Sequence, residues 1–393
     1  MEKKGLFLVL ISAILVINFA NQERSRNLQW GGKIVEENGS RIIKNPEEPL
    51  YGEITLDLEK ELSIGKDDEN FYFFRYVDVK IDSDGNILIL DTGNDRIQKF
   101  DENGAYLQTI GRPGQGPGEF FDPSWMYLDS TDNIYVKDKM QVDIFGKNGK
   151  FRTTYTLPCN IVSFCITSKG NVLARTFFRK EHCIHVLNSE WNVINTVVSF
   201  PWVTNAVLNN PYRPDLWFCP INDELSVYGY PSMYKLSVVN SSGEIVYFIE
   251  KEERLKEKSL VKKEKEKLID YHQELDKARG KDAKHRTRSY IETFLAFSEK
   301  KASYDRIFSD DKSRIYVRQV DTIYTEEEGA EYDMFSKDGY YIYRVKIPLK
   351  INYGPWGMIK NGYLYDVVED SETFNKIVIK YKIRNWDQIK EGN

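Results

Sequence analysis

The chain reads as an all-β fold, and three observations say so. Short strand-like runs alternate with Gly/Asn/Asp turns at roughly 8–12-residue spacing. Residues 81–120, IDSDGNILILDTGNDRIQKFDENGAYLQTIGRPGQGPGEF, contain one four-stranded unit and its connection to the next. That unit then recurs: residues 128–158 copy it turn for turn, with Asn133-Ile134 standing 47 residues after Asn86-Ile87. A four-stranded unit repeated at this period predicts a β-propeller, because each sheet must stack on its neighbours to bury both faces.

The elements follow in order. In the first unit Ser83-Asp84-Gly85-Asn86 turns the chain into Ile87 to Leu90. Thr92-Gly93-Asn94-Asp95 leads into Ile97 to Phe100, and Glu102-Asn103-Gly104 into Tyr106 to Ile110. Asp-Gly and Asn-Gly supply the positive φ of tight hairpins, so Asp84, Asp91 and Asp101 read as turn formers rather than acid/base groups. Weaker copies open at Ile166 to Leu173, Ile221 to Val227, Phe308 to Val317 and Met358 to Tyr365. The last copy runs out after Lys376 to Ile383, one strand short. Residues 54–65, ITLDLEKELSIG, end in Leu-Ser-Ile-Gly, much as the first unit ends in Leu107-Gln108-Thr109-Ile110-Gly111. Residues 54–64 are therefore expected to complete the sixth sheet from the other end of the chain, leaving no exposed edge.

The unit hhhDxxGNIhhhDxxNxRIQxFDxxG (h, apolar), strongest over residues 76–150, resembles the NHL-type six-bladed propeller repeat. Gly111 to Phe120 is similar to a linker of exported bacterial six-bladed propellers. Units four to six lack the Asn-x-Arg-Ile-Gln element, so the resemblance carries the fold and not residue roles. The expected organisation is a signal peptide at 1–20, a flexible tether at 21–33, a propeller at 34–384 and a tail at 385–393.

At 393 residues this is one cooperative domain. Its 13% aromatic content suits strands. A net charge of −5 argues against a nucleic-acid binder, which shows a basic face. Lys3 and Lys4 before the apolar run Gly5 to Ile17, with Asn18-Phe19-Ala20 as cleavage site, predict export to the periplasm or beyond the cell. Asn18 fits that site poorly, and an uncleaved N-terminal anchor is the other reading and the only expected membrane contact. Cys159, Cys165, Cys183 and Cys219 allow a disulfide in an exported chain, most readily among the first three. Cys165 and Cys219 sit in apolar runs, where a free Cys acts as a small core residue. Their spacing matches no zinc pattern.

Residues 250–300 break the strand pattern. Val261, Leu268 and Leu275 fall seven apart with Tyr271 and Ala278 between, the spacing of one helical face. A second helix is expected over about 287–298. The resemblance implies that this helical insertion borders the same channel mouth as residues 111–120, as a lid or docking surface.

The resemblance also brings in calcium-dependent lactonases and esterases and zinc-dependent lyases. His182 and His185, an odd spacing apart on one strand, point to opposite faces, and His272 and His285 lie in the insertion, so zinc chemistry is not expected. The innermost strands start near Arg75, Trp125, Asn160, Asp215, Tyr304-Asp305 and Trp356. From these starts Arg75, Trp125, Arg213, Asp215, Asp305 and Trp356 form the candidate rim. This mixture of guanidinium and aromatic groups suits an organic, peptide or glycan ligand better than calcium, which requires 6–8 oxygens. The sequence thus reads as a monomeric, non-enzymatic binding or scaffold propeller without cofactor. Its partner is a ligand, peptide or protein at the channel mouth. The alternative is a lactonase- or esterase-like hydrolase with a channel calcium on Asp215 and Asp305.

Overall fold

The computed structural model describes residues 29–65, 71–178, 180–201, 215–252, 303–319, 329–349, 358–370 and 372–392, with Glu266, Ile269, Asp270 and Gln273. Four N-terminal strands come first: β1 (Lys33–Glu37), β2 (Ser40–Asn45), β3 (Glu53–Thr55) and β4 (Leu58–Ile64). The first blade is β5 (Val77–Ile81), β6 (Ile87–Asp91), β7 (Arg96–Phe100) and β8 (Tyr106–Ile110). The second is β9 (Pro123–Leu128), β10 (Ile134–Asp138), β11 (Gln141–Phe145) and β12 (Phe151–Thr156). The third is β13 (Asn160–Ile166), β14 (Val172–Phe178), β15 (Glu181–Leu187) and β16 (Val193–Pro201). In the fourth stand β17 (Trp217–Pro220), β18 (Leu225–Gly229), β19 (Lys235–Asn240) and β20 (Ile245–Lys251). The fifth holds β21 (Tyr304–Ser309), β22 (Ile315–Gln319), β23 (Ala330–Phe335) and β24 (Tyr341–Ile347). Only three strands follow for the sixth: β25 (Met358–Lys360), β26 (Tyr363–Glu369) and β27 (Lys376–Ile383).

The six sheets form a six-bladed propeller. Inner strand β5 packs beside β9, β9 beside β13, β17 beside β21, β21 beside β25, and β25 returns to β5. Strands in each blade alternate in direction, so all inner strands run the same way. The linkers entering them share one end of the ring, and the turns leaving them share the other. Both faces of each sheet are buried, which explains the unbroken apolar run Ile87 to Leu90. Ile87 and Ile89 pack with Tyr365 and Val378 of the sixth blade, while Leu88 and Leu90 pack with Met126 and Val136 of the second. The period of two sends alternate side chains to opposite neighbours.

The repeated aspartates are turn clamps. Asp82 Oδ1 accepts from the Asp84 and Asn86 amides at 3.0 and 2.8 Å, and Oδ2 from Asn86 Nδ2 at 2.8 Å. Asp129 repeats this with Thr131 and Asn133, and Asp310 with Lys312 and Arg314. Gly85 takes the left-handed φ of 84° that the first of these turns requires. Asp91 does more than form a turn. Its carboxylate accepts from Asn94 Nδ2 at 2.7 Å and from the Phe74 amide at 3.4 Å, tying the second strand to the segment entering β5. Asp138 does the same with the Phe121 and Asp122 amides, at 2.9 and 2.6 Å.

The sixth blade closes from the other end of the chain, with one correction to the predicted span. Strand β4 pairs antiparallel with β27, Ile64 opposite Val378 and Leu58 opposite Ile383. Ile54 and Thr55 belong instead to β3, which pairs parallel with β24 on the fifth blade. Upstream, β2 pairs parallel with β20 on the fourth blade, and β1 folds back on β2. The turn between them, Asn38-Gly39 with φ of 53° and 76°, is a type I′ hairpin. The N-terminal segment therefore runs as a strap along the outer edges of three consecutive blades.

Nor is the C-terminal part of the expected tether, Gln29 to Lys33, loose. The Trp30 indole donates to Asn45 Oδ1 at 3.1 Å, and its ring meets Tyr340 edge-on at 4.8 Å. The C-terminal residues are docked as well. Trp386–Gln388 form a 3₁₀ turn, Ile389 is buried, and the Arg314 guanidinium lies 4.2 Å from the Trp386 ring centre. The expected signal peptide and most of the helical insertion lie outside the described residues. The insertion's expected first residues, Glu250 and Lys251, instead end β20, whose pairing with β2 and β19 extends the strand that far. Farther in, the described residues Glu266, Ile269, Asp270 and Gln273 are helical, with Ile269 buried. Its flanks, Glu252 and Ser303, sit at the linker end of the ring, bonded to Asn45 and Pro231.

Asn45 links the strap to two blades. Its Nδ2 donates to the carbonyls of Glu250 (3.2 Å) and Gly339 (2.9 Å), and its Oδ1 accepts from the Tyr341 amide at 2.7 Å. Asn45→Ala should cost about 3 kcal/mol, because it strands several buried partners at once. Urea unfolding with an unchanged slope is the check; a loss below about 1 kcal/mol would mean that water replaces the amide.

Candidate functional site

The inner strands leave a central cavity of about 240 Å³ toward their turn end. All six contribute to its wall: Lys80 from β5, Trp125 and Tyr127 from β9, and Ser163 and Phe164 from β13. Phe218 and Cys219 come from β17, Phe308 and Ser309 from β21, and Met358 and Lys360 from β25. The wall combines aromatic, aliphatic and sulfur-bearing side chains with a smaller set of polar groups at fixed positions, the composition usual for small-molecule sites.

Each polar group has a definite electrostatic state. Lys80 Nζ lies 2.5 Å from Asp78 Oδ1 and 5.0 Å from the Trp125 ring centre, so its charge is balanced by a buried carboxylate. The other oxygen of Asp78 accepts from the Met126 amide at 3.0 Å, joining the first two blades. Lys360 Nζ donates to the Ile81 carbonyl at 2.8 Å and has no carboxylate partner among the described residues. Asp129 is consumed by its own turn, and Asp132 accepts from Ser83 and Lys147. The Tyr127 hydroxyl donates to Ile166 O at 3.3 Å, and burial pushes its pKa well up. Burial also pushes the Cys219 thiol up to about 12, so it stands in the cavity as a neutral group. Ser163 is 3% exposed, and its hydroxyl has no hydrogen-bond partner among the described residues.

Of the residues predicted from sequence, Trp125 lines this cavity. Arg75, Asp215 and Asp305 do not join it. Arg75 is exposed at the linker end, its guanidinium 6.0 Å from the Phe74 ring centre. Asp215 sits 3.0 Å from Arg175 Nη2 and 3.5 Å from His182 Nδ1. Asp305 is held by Arg318, whose Nε donates to Oδ1 at 2.6 Å and whose Nη2 donates to Oδ2. Arg213 and Trp356 lie outside the described residues.

These carboxylates do not fit calcium, since guanidinium groups already engage the oxygens a hard cation needs. Among the described residues no three His, Cys, Asp or Glu side chains group to hold a metal. Sequence reasoning missed Lys80, Ser163 and Lys360. For the two lysines the available signal was their place at or near the end of the innermost runs VDVKI and MIK.

Fold and cavity together define a six-bladed β-propeller with a central ligand-sized chamber. The chain belongs to the DUF5128 family, described as a 6-bladed beta-propeller, which it matches over residues 68–344. Among solved structures it is similar to a Bacteroides fragilis protein thought to be exported. That match has 16% identity and a TM-score of 0.53, covering 87% of this chain and 99% of the other. It is also similar to a DUF4221-family member from Bacteroides vulgatus at 13% identity and a TM-score of 0.51, covering 83% of this chain and 98% of that one. At these identities the likeness is one of fold. No curated protein matches the chain significantly.

All four cysteines are buried free thiols. At pH 8, a thiol-reactive dye such as Ellman's reagent should find none of them in the folded protein and all of them after denaturation. Prompt native-state labelling of Cys219 would instead show a chamber open to bulk water and a thiol far more acidic than its burial implies.

Proposed function

We propose that the protein is an exported binding propeller that holds a small ligand in its central cavity without transforming it. The observation that carries this reading is the cavity itself, walled by every blade and furnished with aromatic faces and a few fixed polar groups. Trp125 is the residue on which the sequence reading and the cavity coincide. Export is supported by the N-terminal Lys-Lys and apolar run, and by the Bacteroides fragilis relative thought to be exported. The destination is the periplasm or the cell exterior. Among the described residues no helix is long and apolar enough to cross a membrane.

A hydrolytic reading finds less support. Asp215 and Asp305, the carboxylates it needs, are each committed to an arginine. The protein binds through shape and a few directed polar groups, and its ligand is small because the chamber is.

Native mass spectrometry of the protein purified from its own cell envelope is the direct test. A small molecule should travel with the folded protein, leave on denaturation, and be lost from Trp125→Ala, whose melting curve is followed in parallel. An empty protein that hydrolyses lactones or aryl esters only with calcium, and stops doing so in Asp305→Ala, would contradict the proposal.

A further inference from the structure

Resting on that reading, we infer that the central cavity takes a small organic monoanion, a carboxylate on a compact aromatic body with a hydrogen-bonding group at its far end. The charge balance of the wall leads there. Asp78 already neutralises Lys80 at 2.5 Å, whereas Lys360 bonds only the neutral Ile81 carbonyl among the described residues. Asp129 and Asp132 are committed to the Asn133 and Ser83 turns, and the Cys219 thiol is neutral. Lys360 is therefore the wall ammonium with no carboxylate in ion-pair contact among the described residues. A carboxylate supplies one negative charge, which a neutral isostere does not, and a phosphate dianion oversupplies it.

A second observation is independent of charge. The Ser163 hydroxyl is buried with no partner among the described residues. An unsatisfied buried hydroxyl costs stability unless something bonds it. Ser163 stands on the third blade and Lys360 on the sixth, on opposite walls of the ring, so one ligand touching both spans the chamber. Between them the wall is aromatic, with Trp125, Phe164 and Phe308 facing the body of the ligand. The volume of about 240 Å³ admits a single-ring acid and excludes a peptide or an oligosaccharide.

Calorimetric titration with 4-hydroxyphenylacetate, its neutral amide 4-hydroxyphenylacetamide, the cation tyramine and inorganic phosphate tests the assignment on the full chain. The acid should bind about tenfold more tightly than the amide, the fold-change of one charge-assisted hydrogen bond. Its affinity alone should fall as salt rises. Lys360→Met should erase the preference for acid over amide while leaving amide binding in place. Ser163→Ala should weaken the acid and raise the melting temperature of the empty protein, which also serves should Lys360→Met fail to fold. Equal binding of acid and amide, or tighter binding of the amine or of phosphate, would overturn the anion assignment while leaving the cavity a ligand site. Binding of none of the four, with an empty protein in native mass spectrometry, would overturn both this inference and the reading beneath it.

Discussion

A blade of three strands ends in a row of unpaired N–H and C=O groups, and the sixth blade has only three strands of its own. Everything else in this ring depends on how that edge is covered. Strand β4, some 300 residues upstream of its partner β27, supplies the missing outer strand and locks the first sheet to the last. The segment before it extends the closure by laying β2 and β3 parallel to the outer strands of the fourth and fifth blades. Closure of this kind removes aggregation-prone edges, and its long sequence separation predicts slow folding in which the last step joins the two ends.

Much of this was legible because the repeat is written in turns. The Asp82-to-Asn86 pattern and its copy at Asp129 specify both the hairpin and the register, since each carboxylate binds amides two and four residues on. The orphan strand was legible for a similar reason, its Leu-Ser-Ile-Gly ending sharing the Ile-Gly that closes β8. The strap was not. Residues 33–45 carry an Asn-Gly hairpin signal, but a parallel pairing with β20 leaves no local mark, because its partner lies some 200 residues away. Trp30 likewise looks like part of a polar tether until Asn45 and Tyr340 are placed beside it.

The site was legible only in part, and the reason is directional. Sequence locates the starts of the inner strands, which lie at the linker end, and there Asp215 and Asp305 meet arginines from other strands. The cavity lies toward the other end, where strand length and side-chain volume decide what is left open. Trp125 reaches it from the middle of β9. Lys80 and Lys360 reach it from the last turns of their strands. The pairing of Lys80 with Asp78, which leaves Lys360 uncompensated, is a matter of distance that no spacing in the sequence reveals.

The central claim is that the ring stands because β4 closes it. The most direct measurement compares thermal unfolding and size-exclusion behaviour of the protein with two N-terminal truncations. One begins at Leu58 and keeps β4; the other begins after Gly65 and removes it. The account predicts that the first still unfolds in one cooperative transition, at a lower temperature because the strap is gone. The second should lose that transition and associate through its exposed sheet edge. A truncation lacking β4 that remains monomeric and melts with the intact protein would contradict it.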